Sequence, residues 1–361
     1  MTRSPFRGLA ALVICLFLLP FGLAACGSDD ESSSGSGGSS GSSQSSDGGD
    51  SGGEKLKVAM VTDIGGLNDR SFNAAAYTGL KEAKSDLGVD IRVLTSNKNS
   101  DYVPNLSSLA RQKYDVVFAV GFLMAEATEK VAGSFPNTKF AIIDSSQAAM
   151  KSKPKNVEGL LFAENESGYL VGYMAGLYTK DQGGDQVISS VGGQKIPPVD
   201  AYIAGYQAGA KAANPDIKTL NGYSQDFVDQ AKCKEIALNQ IQQGSQVVFQ
   251  VAGGCGLGAL DAAKEKSVQG IGVDVDQGYI GPQVMTSAVK KIDQAVLDTV
   301  KAVQDGSWKA GDKLFNLTND GTGIGKTNDV GAKYQSQVDK IQQQIKDGEI
   351  SDIPNTVGKA N

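Results

Sequence analysis

Between Asp63 and Asn73 the chain gathers Asp63, Asp69, Ser71, Phe72 and Asn73 around Gly65-Gly66. Carboxylates accept hydrogen bonds from hydroxyls and amines, an amide both donates and accepts, and a phenyl face stacks on flat rings. More such residues stand just past other apolar runs: Gly121-Phe122, Asp144, Phe227, Gly253-Gly254 and Asp274. Each is weak by itself, because Asp or Ser after a strand often only caps the next helix. Taken together they suit a flat heterocycle joined to a sugar. Rings would stack on the base, worth about 1–3 kcal/mol per base, and carboxylates would receive the hydroxyls. A bare sugar would use the rings less fully.

These residues can meet only if strands bring them to one edge. Short apolar runs at 58–61, 91–94, 116–120, 139–143, 157–162, 187–191, 218–223, 247–251 and 268–273 read as strands. Helix-periodic segments alternate with them at 72–87, 105–112, 125–133, 168–178, 202–213, 229–243, 257–266 and 290–304. Alternation of this kind predicts parallel α/β sheets, and ligands of open α/β sheets bind outside the carboxyl ends of their strands. The length exceeds what one core supports, so two lobes with a cleft between them are expected. Gly168, Gly172 and Gly176 recur every fourth position and would let one helix pack closely.

The N-terminus reads as a targeting device. Arg3 and Arg7 precede an apolar stretch, Leu9–Leu23, shorter than the roughly 20 residues a spanning helix needs. Leu23-Ala24-Ala25-Cys26 resembles the lipobox of bacterial lipoproteins, which implies a signal peptide over 1–25, cleavage before Cys26 and acylation of that residue. Residues 26–54 are almost wholly Ser, Gly and Asp after the Cys. Such a segment forms a flexible tether with a mean reach of about 30 Å.

Composition excludes several function classes. The net charge is −6 and becomes −8 once the two signal-peptide arginines leave, a poor match to nucleic acid. There are no histidines, which removes Ser-His-Asp and Cys-His triads and all His-ligated metal sites. No cofactor is expected. Of the four cysteines, Cys233 and Cys255 remain in the folded part. One lies near a helix start and the other past the following strand, so both reach the same end of the sheet and a disulfide is expected, two free thiols being the alternative.

Three motifs carry less than they promise. Gly253-Gly-Cys-Gly-Leu-Gly258 looks like a dinucleotide fingerprint but has no acidic residue at the right distance. Gly321-Thr-Gly-Ile-Gly325-Lys326-Thr327 approaches a phosphate-binding loop, yet Asp320 stands where the first glycine is required, so a Gly-rich hairpin is expected. Asp274-Val-Asp276 could hold a cation, but one Asp is expected in the cleft and the other in a structural role.

The quoted segment Asp63-x-Gly-x-x-x-Asp69-x-Ser71-Phe72-Asn73, together with Ala141-Ile-Ile-Asp144, Gly168-Tyr-Leu-Val-Gly172, Ala252-Gly253-Gly254-x-Gly256, Gly272-Val-Asp274-Val-Asp276-Gln277 and Thr286-Ser287-Ala288-x-Lys290, resembles the basic membrane protein family. Its members are substrate-binding lipoproteins of ABC transporters, in the group that binds purine nucleosides. The resemblance implies a type I periplasmic-binding fold of two lobes joined by crossover strands. It places 55–163 plus roughly 280–315 in the first lobe and 164–279 plus roughly 316–361 in the second. It implies that Phe72 and Phe227 sandwich the purine, that Asp144 receives base donors, and that Asp63, Asp69 and Asn73 line or brace that side. Asp274 and Lys290 would grip the ribose hydroxyls, Gly253 would offer backbone, and Phe122 joins the lining. The expected partners are a nucleoside, a permease and, through the anchor, the outer face of the cell membrane, with the protein a monomer. The rival readings are the same fold holding another polyol, and a nucleoside-processing enzyme using Asp63 or Asp274 as acid or base.

Overall fold

The computed structural model describes residues 55–358; the expected signal peptide, Cys26 and the tether lie outside them. Nine of its strands and eight of its helices follow the alternation read from the sequence. They are β1 (Lys57–Thr62), α1 (Phe72–Leu87), β2 (Asp90–Leu94), α2 (Tyr102–Arg111), β3 (Val116–Val120), α3 (Ala125–Ser134), β4 (Lys139–Ile143), β5 (Val157–Phe162) and α4 (Glu164–Gln182). The chain continues through β6 (Val187–Gly192), α5 (Pro197–Ala213), β7 (Lys218–Tyr223), α6 (Gln230–Gln242), β8 (Ser245–Val251), α7 (Gly253–Glu265) and β9 (Gln269–Asp274). The eighth of these helices is α8 (Ile292–Gln304), and to them the chain adds β10 (Val284–Lys290), β11 (Gly311–Phe315), β12 (Thr322–Ile324) and α9 (Gln335–Lys346).

Two six-stranded sheets result, in the orders β11-β5-β4-β3-β1-β2 and β12-β10-β9-β8-β6-β7. The first is wholly parallel, and in the second only β12 runs antiparallel, against β10. Central strands such as Val116–Val120 are buried along their whole length, as expected for parallel strands covered by helices on both faces. Each sheet has its own core. Helix α8 packs its Ile292, Val296 and Val300 into the core of the first sheet, although it follows β10 of the second. Helix α9 does the same for the second sheet through Val338 and Ile341.

The chain therefore passes between the sheets three times, at Ala163, at Lys291 and at Asn316. The middle crossing comes about ten residues later than the expected boundary near 280, because the fully buried strand β10 belongs to the second sheet. That strand escaped sequence reading, and Lys290 is its last residue rather than the start of a helix. Gly321–Thr327 contains the edge strand β12, paired to β10, instead of a hairpin closed on itself. Asp274 ends β9, so Asp276 lies beyond the strand.

The glycine ladder has a concrete role. A Cβ at Gly172 would lie 2.0 Å from the Tyr206 carbonyl oxygen, and one at Gly209 would lie 2.0 Å from that of Tyr169. Helices α4 and α5 touch backbone to backbone there. Cys233 and Cys255 form a disulfide with their Cα atoms 5.6 Å apart, tying α6 to α7.

Candidate functional site

The carboxyl ends of the strands face a cleft between the sheets. It is lined by Asp63, Asp69, Phe72, Asn73, Phe122 and Asp144 from one side and by Phe227, Gly253, Asp274 and Lys290 from the other. About 580 Å³ lies outside the protein atoms there, the open mouth included.

On the first side, one hydrogen-bonded unit fixes the acids. Asp69 accepts from the backbone N–H groups of Ser71, Asn73 and Ala74, at 3.1, 2.7 and 3.0 Å, and so closes the free N-terminus of α1. Asn73 Nδ2 donates to both Asp69 (3.0 Å) and Asp63 (2.7 Å). Asp63 also accepts from the Gly65 N–H at 2.8 Å. Asp69 is thus a brace, and Asp63 is held in place with acceptor capacity to spare. Burial pushes Asp63 up to about 6, although the bonds from Asn73 and Gly65 oppose it. Burial raises Asp69 too. Phe72 begins α1, and a Cβ at Gly121 would stand 3.3 Å from its ring, so the glycine makes room for the phenyl.

Asp144 and Asp274 occupy matching places, each at the end of the strand beside the first or second sheet's centre, and both have left-handed backbones with φ of 66° and 64°. Such a conformation is uncommon for a non-glycine residue, least so for Asp and Asn, and it is often found at functional sites. Gly121 and Gly253, after β3 and β8, also have positive φ. The two sheets therefore present the same pair of sharp exits to the cleft.

Among the described residues, Lys290 is the only basic side chain lining the cleft. Its ammonium donates to both oxygens of Asp144 at 2.8 Å and to Glu164 at 3.0 Å. It also lies 5.0 Å from the ring centres of Phe72 and Phe162 and 5.7 Å from that of Tyr202, positions that favour a cation. Burial alone would lower the lysine, but Asp144, Glu164 and Asp274 outweigh it and hold the ammonium above its ordinary range. Among the acids burial wins. Asp144 is raised in spite of Lys290, Glu164 is pushed up to about 7 and Asp274 to about 6.

The second side supplies ring and backbone. Phe227 lies against Gly193, where a Cβ would meet its ring at 2.2 Å. Its carbonyl accepts from the Cys255 N–H at 3.0 Å, so the disulfide steadies the loop that carries it. Gly253 is the first residue of α7 and not part of a loop, which turns the positive end of that helix toward the cleft. A Cβ on Gly254 would come within 3.6 Å of the Asp69 Cα, a measure of how closely the two sides approach.

Ser71, named in the sequence without a role, bonds Asp274 across the cleft. Two participants were absent from the sequence-based set: Glu164 holds Lys290, and Tyr202 lines the wall beside Ile196, Pro198 and Val199. The signal for Glu164 was available, since it follows a strand end as the other acids do. Tyr202 lies one turn into a helix and carried none.

Two parallel α/β lobes, joined by three crossings and meeting over a polar, ring-lined cleft, define a solute-binding protein of the type I periplasmic fold. The chain belongs to the family of PnrA-like ABC transporter substrate-binding proteins, whose sequence profile matches residues 56–356. It is therefore a binding protein and not an enzyme. It is 36% identical over 319 residues to the ABC transporter nucleoside-binding protein BmpA of Lactococcus lactis, covering 82% of this chain and 88% of that one. An uncharacterized lipoprotein of Pyrococcus horikoshii is 37% identical over 283 residues, 75% of this chain and 69% of its own. Among solved structures, an ABC transporter solute-binding protein from Aeropyrum pernix superposes with a TM-score of 0.76 at 28% identity, over 83% of this chain and 94% of that one. No helix among the described residues is long and apolar enough to cross a membrane.

Proposed function

We propose that the protein captures purine nucleosides outside the cell and hands them to its permease, held at the membrane by a lipid on Cys26. The single observation that carries this reading is the lining of the cleft: Phe72 and Phe227, from opposite lobes, in the same space as Asp63, Asp144 and Asp274. Phenyl faces suit a flat base, and carboxylates with spare lone pairs suit ribose hydroxyls and base N–H groups. The Lactococcus relative named as nucleoside-binding supports the same solute class.

The cleft argues against anionic solutes. Its one ammonium is already shared between Asp144 and Glu164, and a phosphate would face unpaired carboxylates. Lobe closure over the solute then presents one surface to the permease, a hinge mechanism common to binding proteins, and a single chain suffices for it.

Calorimetric titration of residues 54–361, refolded to strip carried-over solute, tests this reading. Purine nucleosides should bind, and pyrimidine nucleosides, free ribose and free bases should bind more weakly. Heat with ribose or another polyol and silence with nucleosides would sink the purine assignment while leaving the fold-based class intact.

A further inference from the structure

The first turn of α4 touches all three crossings between the lobes. At the first, the Ala163 N–H donates to the Phe315 carbonyl at 2.8 Å, and the Phe162 and Phe315 rings stack 5.0 Å apart. At the second, Glu164 holds Lys290 at 3.0 Å, one residue before the chain passes to α8. At the third, Glu166 accepts from the Leu317 N–H at 2.7 Å. The two glutamates differ in what they meet. Glu166 binds backbone, whereas Glu164 binds the one positive charge that, among the described residues, also lines the cleft.

The ammonium of Lys290 has three N–H groups. Two bonds go to the oxygens of Asp144 and one goes to Glu164. Asp144 lines the cleft, while Glu164, 6% exposed, stands behind the lysine, outside the lining. The charged and titratable groups around Glu164 are Lys290, Asp144 and the Tyr202 hydroxyl, and Asp274 acts on the same lysine. One cation therefore serves three carboxylates. A neutral ligand that covers the cleft expels the water that screens those carboxylates from one another, and repulsion between them grows. Neutralising Asp144 or Asp274 would remove an acceptor from the ligand. Neutralising Glu164 removes none.

We propose that Glu164 is a positioning residue of the ligand site, holding the Lys290 ammonium against Asp144 and taking up a proton from solvent as the ligand closes the cleft. Burial raises Glu164 toward neutrality, to about 7, against the pull of Lys290, which suits that exchange. This role presupposes the nucleoside reading for its ligand, but the holding of Lys290 does not.

The test is calorimetric titration with inosine in buffers of different ionisation enthalpy, from about pH 6 to about pH 8. The native protein should take up a fraction of a proton per ligand and bind up to roughly tenfold more tightly at the acid end. Glu164→Gln keeps an acceptor for Lys290 but cannot titrate. It should bind with little proton uptake between about pH 7 and about pH 8 and a nearly flat profile there. Glu164→Met removes the acceptor and should lose about tenfold or more at every pH. Proton uptake by Glu164→Gln equal to the native protein's, or native affinity in Glu164→Met, would overturn the proposal. Were the native protein to bind no nucleoside, the functional reading would fail alone. The Lys290 ammonium signal in ligand-free, 15N-lysine-labelled protein, identified by its loss in Lys290→Arg, would still decide. It should persist in Glu164→Gln and vanish through solvent exchange in Glu164→Met, and a signal unchanged in both would sink the positioning role.

Discussion

The Ser71 hydroxyl donates to Asp274 Oδ2 at 2.6 Å, joining the helix start of the first lobe to a strand end of the second. Both groups are buried, at 0% and 6% exposure. The neighbouring residue reinforces the contact: the Arg70 carbonyl, on a left-handed backbone, accepts from Gln277 Nε2 at 3.0 Å. These bonds exist only when the lobes are together, so they favour the closed arrangement by their full strength.

Ser71→Ala should therefore shift the lobes toward the open form. A lost bond to a carboxylate amounts to about 1.5–3 kcal/mol, so solute affinity should fall at least about tenfold, mostly through faster release. Stopped-flow dissociation measures this directly, and Ser71→Thr should restore much of the loss. Native release rates in the alanine variant would show that closure does not depend on the bond.

The buried acids predict an unusual pH dependence of stability. Asp63 and Asp274 are held at about 6 and Glu164 at about 7, above ordinary values of 3.8 and 4.5. Between those limits the folded chain binds more protons than the unfolded one, so stability declines as pH rises through that window. Asp226 acts in the opposite sense. Lys232 beside it lowers it to about 2, so its contribution fades as pH falls through the same low range. The melting temperature of the ligand-free protein should rise from about pH 8 to about pH 5 and drop again below about pH 3.5. Asp63→Asn and Glu164→Gln should flatten the upper limb. A melting temperature that climbs with pH across that limb would contradict the burial argument.

The helix pair α4 and α5 predicts a sharp contrast between two glycines. A Cβ at Gly172 would meet the Tyr206 carbonyl at 2.0 Å, whereas one at Gly133, in α3, meets nothing within 4 Å. Gly172→Ala must push two backbones apart and should cost about 2–4 kcal/mol. Gly133→Ala should be neutral or gain up to roughly 0.8 kcal/mol from helix propensity. Urea unfolding of the two variants checks both, and equal midpoints would mean the helices can separate at little cost.

The Cys233–Cys255 bond spans 22 residues, a closure expected to contribute about 3 kcal/mol. Because Cys255 also binds the Phe227 carbonyl, its loss should loosen the ring's loop as well. The double Cys→Ser variant should unfold at lower denaturant and bind solute more weakly. Unchanged unfolding on reduction with dithiothreitol would deny the bond a structural role.

Much of this was legible from residue order alone. Parallel strands buried on both faces leave continuous apolar runs, and each run ends where the backbone must turn, so Asp63, Asp144, Gly253 and Asp274 announce themselves by position. The absence of histidine and the Leu-Ala-Ala-Cys26 signature are likewise local facts. What the tertiary structure decided is pairing over distance. Lys290 stands 146 residues from Asp144 and 126 from Glu164, and no local pattern says which acids share one ammonium. Strand β10 was hidden because its Thr286-Ser287 interrupt the apolar run, their hydroxyls satisfied by the Gly325 carbonyl and the Gln277 N–H. The short edge strands β11 and β12 carry almost no signal of their own, since each exists only through the neighbour it pairs with. Local chemistry is written in the order of residues, whereas the partner of a buried charge is chosen by the fold that desolvates it.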